Sequence, residues 1–317
     1  MPQYNRNELE KAARDRGFVR DTFEKVLRLA EILTWINSHD NLSEHLILKG
    51  GTAINLTVFS LPRLSVDIDM DFTPNMSRSD MMPERDLITK ELNTYMEAEG
   101  YSLSPASRFH HSLDAFHYSF INSAGNRDMI KIELNYSLRA HLFEPVERNV
   151  VPDIFKGDET VLTLDPIEIY AAKTNALISR TAARDFYDFN SMIASRMFEG
   201  KEDLFRKSII FYCSISQDKI STDFSTDTID RLDFTKILRD LFPVLAYNER
   251  HKNFDLEEKK RSAKQYLKEL LRPTEQEKEY IERFGMKEYR PELLFEDQTI
   301  LDRISEHPMA LWKCKKE

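Results

Sequence analysis

Cysteine is scarce in this chain: Cys213 and Cys314 are the only two, no CxxC occurs, and no spacing pairs them. That argues against a disulfide framework and a thiolate metal site, and it fits a reducing compartment. No run of about 18 apolar residues occurs, so no membrane-spanning helix is expected. The opening stretch "MPQYNRNELEKAARDRG" lacks an apolar h-region, so no signal peptide is expected and the default location is cytoplasmic. An excess of positive charge is also missing, since 45 basic residues against 54 acidic ones leave a net charge of −9. That disfavours a nucleic-acid coat protein and leaves room only for a local basic surface. Internal repeats and low-complexity tracts are absent.

What is present describes a core-forming chain of 317 residues, 41% hydrophobic and 31% charged, long enough for two ordinary domains. Phe23, Val26, Leu27, Leu29, Ile32 and Leu33 recur at three- and four-residue steps, which predicts helices from about Asn7 to Asn37. "HLILKGG" reads as a short buried element stopped by Gly50 and Gly51, and "TAINLTVFS" as a helix starting near Thr52. "SVDIDMDF" alternates with period two and predicts a strand, "RSDMMPERDLITKELNTYMEAEGY" a helix ending at Gly100. "DAFHYSFINSAGNRDMIKIELNYSL" predicts two strands joined at "SAGNRD". Beyond "FEPVERNVVPD" the pattern reads as helical to the end, including "DLEEKKRSAKQYLKELLRP", a charged amphipathic helix stopped by Pro273. The expectation is a mixed α/β domain over 1–150 followed by an all-helical domain over 151–317.

Chemistry concentrates in the first of these. Asp67, Asp69 and Asp71 occupy alternate residues, so a strand puts three like charges on one face. One explanation is the charge-guarded face of an edge strand. The other is a site for a hard divalent cation, which takes carboxylate oxygens together with substrate phosphates. Just upstream, Lys49, Gly50, Gly51 and Thr52 stand at a strand-to-helix transition, where glycines let backbone approach a phosphate and a helix N-terminus offers free N–H groups. Glu133, flanked by Ile132 and Leu134, becomes a third carboxylate at the same locus if its strand lies beside the Asp strand.

These residues resemble a known family. "LKGGTAINL…LPRLSVDIDMDF" is similar to the signature of the AbiEii-type nucleotidyltransferases, toxins of bacterial toxin–antitoxin and phage-exclusion systems within the DNA polymerase β-like superfamily. "EIYAAKTNALISRTAARDFYDFN" resembles the family's helical motif, at Lys173, Ala176, Leu177, Arg180, Arg184, Asp185 and Asp188. An ordinary ladder of i,i+4 salt bridges, Arg184 with Asp188 among them, is the alternative to a site in which Lys173 neutralises NTP phosphates. The likeness runs from roughly Leu27 to Asn190. Its one departure is a spacer from Thr52 to Asp67 longer than the compact superfamily spacing, with "FSLPRLS" extending the turn.

The resemblance implies a polymerase β-like α/β (α+β) domain with a mixed sheet, an NTP substrate, and Mg²⁺ or Mn²⁺ as cofactor. By family register it assigns Asp67, Asp69 and Glu133 to the metal, with Asp71 facing the same side. Lys49, Gly50, Gly51 and Thr52 would hold the triphosphate. Lys173 would act on the phosphates as pyrophosphate leaves, with Arg184, Asp185 and Asp188 at the nucleotide. It further implies a cognate antitoxin and a tRNA 3′ end as acceptor, so that translation is blocked. The basic run "NERHKNFDLEEKKRSAKQYLK", with Lys259, Lys260 and Arg261, is a candidate RNA contact, although a solvated helix face accounts for it as simply. A protein hydroxyl as acceptor, and a catalytically silent relative that binds a nucleotide or a partner, stay open. His110, His111, His117 and Asp114 read as surface residues, and Trp35 and Trp312 as core or terminal packing.

Overall fold

The computed structural model describes residues 4–59, 61–150, 160–250 and 253–315. The chain divides into two compact units: residues 1–139 with 145–164 and 243–250, and residues 140–144 with 165–242 and 251–317.

The first unit is built on a mixed eight-stranded sheet. Its strands are β1 (Leu46–Lys49), β2 (Asp67–Phe72), β3 (Ser102–Leu103), β4 (Arg108–Phe109), β5 (Leu113–Ile121), β6 (Arg127–Asn135), β7 (Val146–Asn149) and β8 (Thr160–Thr163). They lie in the order β3-β5-β6-β2-β1-β8-β7, with β4 also paired to β5. β2 is interior, antiparallel to β1 and parallel to β6. Its period of two explains this placement: Ile68, Met70 and Phe72 are buried, whereas Asp67 and Asp69 keep partial access to solvent. The β5–β6 hairpin closes around Asn122, whose Oδ1 accepts from the N–H groups of Ala124 and Asn126 at 3.0 and 2.9 Å.

Helices α1 (Arg6–Asp15), α2 (Arg20–Ser38), α3 (Asp40–His45) and α5 (Arg78–Ala98) accompany the sheet, and the short α4 (Gly50–Ala53) runs into a π-turn over Ile54–Val58. The expected apolar stripe of α2 is buried at Phe23, Val26, Leu29, Ile32 and Leu33. Trp35 of α2 stacks on Tyr95 of α5 with ring centroids 3.8 Å apart. Glu24 and Arg28 are fully enclosed: the guanidinium donates to Glu24 Oε1 at 2.7 and 3.0 Å and lies over the Phe120 ring at 4.5 Å. Glu24 also accepts from Ser123 N and Oγ, tying α2 to the hairpin turn.

Two expectations change here. The sheet continues beyond residue 150, because β8 pairs parallel with β1 through Leu48 and Thr163 and antiparallel with β7. Strands of four residues, with only Val161 and Thr163 buried in β8, carry too little periodicity to be read from sequence. The expected boundary at 150 adjoins residues 151–159, which lie outside the described residues, and the first unit extends to Leu164. Asp114 is also not a surface residue: it is buried against Arg85, whose Nε donates to it at 2.9 Å, while His110 and His111 are exposed.

The second unit is helical among its described residues: α6 (Pro166–Ser179), α7 (Ala183–Ala194), α8 (Glu202–Ser216), α9 (Asp227–Asp230), α10 (Phe234–Lys236), α11 (Leu256–Leu270), α12 (Glu275–Gly285), α13 (Gln298–Ile304) and α14 (Pro308–Cys314). Its core is aromatic, with Tyr170, Phe186, Phe189, Phe205, Phe211 and Tyr280 fully buried. Local chemistry sets the helix ends. Asp165 caps α6 with Pro166 at its first position, and Thr274 and Glu277 form a reciprocal capping box on α12. Trp312 is 67% exposed on α14, against the expectation of packing. No helix among the described residues is long and apolar enough to cross a membrane.

Removing one partner of a buried ion pair leaves an uncompensated charge. Glu24→Ala is therefore expected to lower stability by about 3–5 kcal/mol in urea unfolding. Glu24→Leu with Arg28→Met should recover part of that loss. A single variant within about 1 kcal/mol of wild type, the size of an ordinary net hydrogen bond, would contradict this.

Candidate active site

β1 delivers Lys49 to the turn, and Gly50 follows at φ +71°, a left-handed conformation open to glycine without strain. A Cβ at Gly50 would stand 2.6 Å from Asp69 Oδ2, so the turn packs directly on the Asp69 carboxylate. A Cβ at Gly51 would meet Arg63 Nη2 at 2.7 Å and Ser65 Oγ at 3.0 Å. Gly50 is thus required by its backbone and by close approach, while a side chain at Gly51 would have to displace the Arg63 guanidinium. No side chain of the capping residue Lys49 bonds the first turn of α4. The Thr52 hydroxyl, fully buried, donates to the Asp67 carbonyl and pins the turn to β2.

The sheet register then assembles the charges. Lys49 lies opposite Asp69 across the β1–β2 pair, and Glu133 lies opposite Asp69 across β2–β6. Directly opposed residues share a face, so Asp67, Asp69, Asp71, Glu133 and Lys49 all project from one side. Asp71 is the innermost, 1% exposed, and receives the Lys49 ammonium. Lys131 bonds Glu133 at 2.9 Å. Burial pushes the Asp69 carboxyl up to about 6; Lys49 opposes this, and Glu133 and Asp67 add to it.

This donor set is one a hard cation would relieve. Asp67, Asp69 and Glu133 share a face without closing into a ready-made cage, and among the described residues no three His, Cys, Asp or Glu side chains do. A Mg²⁺ site needs no such cage, because one or two carboxylates plus substrate phosphates complete its shell. Burial and the neighbouring Glu133 and Asp67 push the Asp69 carboxyl up further than Lys49 offsets, and a cation on this face would relieve that.

In the second unit Lys173 of α6 meets Asp185 at 3.0 Å and Asp188 at 2.8 Å, both on α7. Arg180, which follows α6, bonds Asp185 at 3.0 Å. Burial works to raise the Asp185 pKa, but Lys173 and Arg180 hold it below the usual carboxylate value. Arg184 points elsewhere with its Nε, which donates to the Asp240 carbonyl at 2.9 Å. Arg180 takes extended backbone after α6, so it does not continue the helical face of Lys173 and Leu177. The basic run on α11 is partly matched: Lys260 pairs with Glu257 at 3.1 Å and Lys264 with Asp230 at 2.7 Å. His251 and Lys252 of that run lie outside the described residues.

Arg63 and Ser65 were not expected. Both are buried beneath the glycine turn, and the backbone around them is fixed by Leu64 N donating to Val244 O at 2.8 Å. The only sequence signal was an Arg and a Ser set within the apolar run "LPRLSVD".

A mixed sheet carries alternating acids on an interior strand next to a glycine turn, and a family match over most of the chain makes this protein a nucleotidyltransferase. The family described as "Nucleotidyl transferase AbiEii toxin, Type IV TA system" matches residues 31–280, and the chain belongs to it. The structure is similar to that of MenT4, nucleotidyltransferase toxin Rv2826c from Mycobacterium tuberculosis H37Rv, with a TM-score of 0.60 at 14% identity. That likeness covers 96% of this chain and 99% of the other, and at such identity it speaks for the fold. No curated protein matches the chain.

Asp69 gives a signed prediction for stability. Its folded pKa lies above the ordinary carboxylate value, so its favourable contribution is present at low pH and is lost as pH rises through about 6. Asp69→Asn should therefore stabilise the protein at pH 7.5 without divalent cations, by on the order of 2 kcal/mol. The gap should shrink toward pH 4. Equal unfolding midpoints at pH 7.5 would contradict the crowding described above.

Proposed function

We propose that this family member transfers a nucleoside monophosphate from an NTP to an RNA hydroxyl, the 3′ end of tRNA, and so blocks translation in the cytoplasm as a toxin held by a cognate antitoxin. The observation that carries the reading is the register that sets Asp69 between Lys49 and Glu133 with a glycine turn against its Oδ2. Such a face can grip phosphates and an attacking hydroxyl together.

In this reading Gly50 and Gly51 bring backbone close to the triphosphate, and Thr52 keeps the turn fixed to β2. Lys49 balances charge between Asp71 and the phosphates. Mg²⁺ or Mn²⁺, held by Asp67, Asp69 and Glu133, would supply charge neutralisation on the phosphates and acidify the acceptor hydroxyl. Glu133, on the strand beside Asp69, would help activate the acceptor hydroxyl, either as a metal ligand or as its general base. The family resemblance gives Lys173, whose ammonium Asp185 and Asp188 orient, a role on the phosphates, and gives Arg184 a role at the nucleotide. Catalysis of this kind is mostly positioning and electrostatics.

Protein nucleotidylation is the alternative that the same carboxylates would serve, since they activate any hydroxyl. Purified protein incubated with total tRNA, Mg²⁺ and each α-labelled NTP separates the two. Label on tRNA from wild type, reduced at least 1,000-fold in Asp67→Ala and Asp69→Ala with their folds intact, is the expected result, roughly 4 kcal/mol of lost transition-state stabilisation. Label on protein alone would replace RNA as acceptor. Wild-type labelling by Asp67→Ala would remove the metal assignment.

A further inference from the structure

The second unit carries a groove of about 1070 Å³ whose chemistry runs against the acidic balance of the chain. Lys219, Lys287, Lys313 and Lys315 line it, and Asp218 is the one acid among its described lining residues. Trp312 stands in the same groove, 67% exposed. The lysines here differ from those of α11, where Lys260 and Lys264 are already matched by carboxylates. Lys313 donates to the Gln217 carbonyl and Lys287 to the Lys313 carbonyl at 2.7 Å, contacts that orient the ammonium groups without neutralising them. Burial lowers the Lys313 pKa; Asp218 opposes this and Lys287 adds to it.

A row of cations around an exposed indole is the combination that binds single-stranded nucleic acid, with phosphates on the charges and a base on the ring. An exposed tryptophan has no packing role to explain it, and Lys287 stands near enough to Lys313 for their charges to repel. We propose that this groove binds a single-stranded stretch of an RNA acceptor, with its phosphates on Lys219, Lys287, Lys313 and Lys315 and one base stacked on Trp312. This rests on the RNA-acceptor reading above and goes beyond it by assigning the acceptor a surface.

The test is fluorescence anisotropy of a labelled single-stranded oligoribonucleotide over a series of salt concentrations, with RNA and NTP KM values measured alongside. Lys219, Lys287 and Lys315 are exposed, so Lys219→Glu with Lys287→Glu and Lys315→Glu should fold normally, which thermal melting checks. That variant should bind at least tenfold more weakly, with a salt slope reduced by about two. Trp312→Ala should weaken binding by roughly five- to 150-fold, the loss of one stacked base, and Trp312→Phe should restore much of it. The KM for NTP should not move. Unchanged RNA affinity and slope in these variants overturn the groove, and the acceptor reading survives if tRNA is still labelled. If polyglutamate binds wild type as tightly as RNA does and Trp312→Ala leaves RNA affinity unchanged, the surface docks an acidic protein and the proposal fails. Wild type that neither binds nor labels RNA overturns both readings.

Discussion

Electrostatic crowding on one face of β2 is the constraint on which the rest of the first unit depends. Three aspartates two residues apart cannot avoid each other on a strand, and Glu133 is brought in beside them by the parallel β6. The fold answers only part of this charge. Lys49 neutralises Asp71 at the buried end, and Lys131 holds Glu133 at the more open side. At Asp69, between them, burial together with Glu133 and Asp67 outweighs Lys49, and its carboxyl is pushed up to about 6. A protein selected for stability alone would place an asparagine or an apolar residue there.

The surrounding structure explains why the crowding persists. β2 is interior, its other face filled by Ile68, Met70 and Phe72, so the strand cannot shift register without turning the acids into the core. Gly50 packs on Asp69 and Gly51 on Arg63, and Thr52 fastens the turn to the carbonyl of Asp67. The face is therefore preorganised, its repulsion held in place by packing elsewhere. In the second unit the opposite balance holds. There Lys173 is matched by Asp185 and Asp188, so the charges of that cluster are paired locally.

Much of this was legible in the sequence because it lies in short-range pattern. The alternation of "SVDIDMDF" gave the strand and its two faces, and the period of α2 its buried stripe. Glu133 could be named as a candidate, but its register opposite Asp69 is a long-range pairing that no local pattern encodes. For the same reason β7 and β8 went unseen, being four residues each with few inward side chains. Lys49 looked like a free phosphate ligand until the cross-strand neighbourhood placed Asp71 within its reach. Arg63 beneath Gly51 had no periodic signal at all. Trp312 was read as packing because hydropathy describes a residue and says nothing about which neighbours the tertiary fold brings to it.

The central claim is that Asp67 and Asp69 hold a cation that joins this face to an NTP. Anomalous diffraction from crystals grown with Mn²⁺ and a non-hydrolysable NTP tests it most directly. The account predicts an anomalous peak in contact with both carboxylates and with phosphate oxygens seated on the Gly50–Gly51 turn. A nucleotide bound elsewhere, or bound at the turn with manganese away from Asp67 and Asp69, would contradict it.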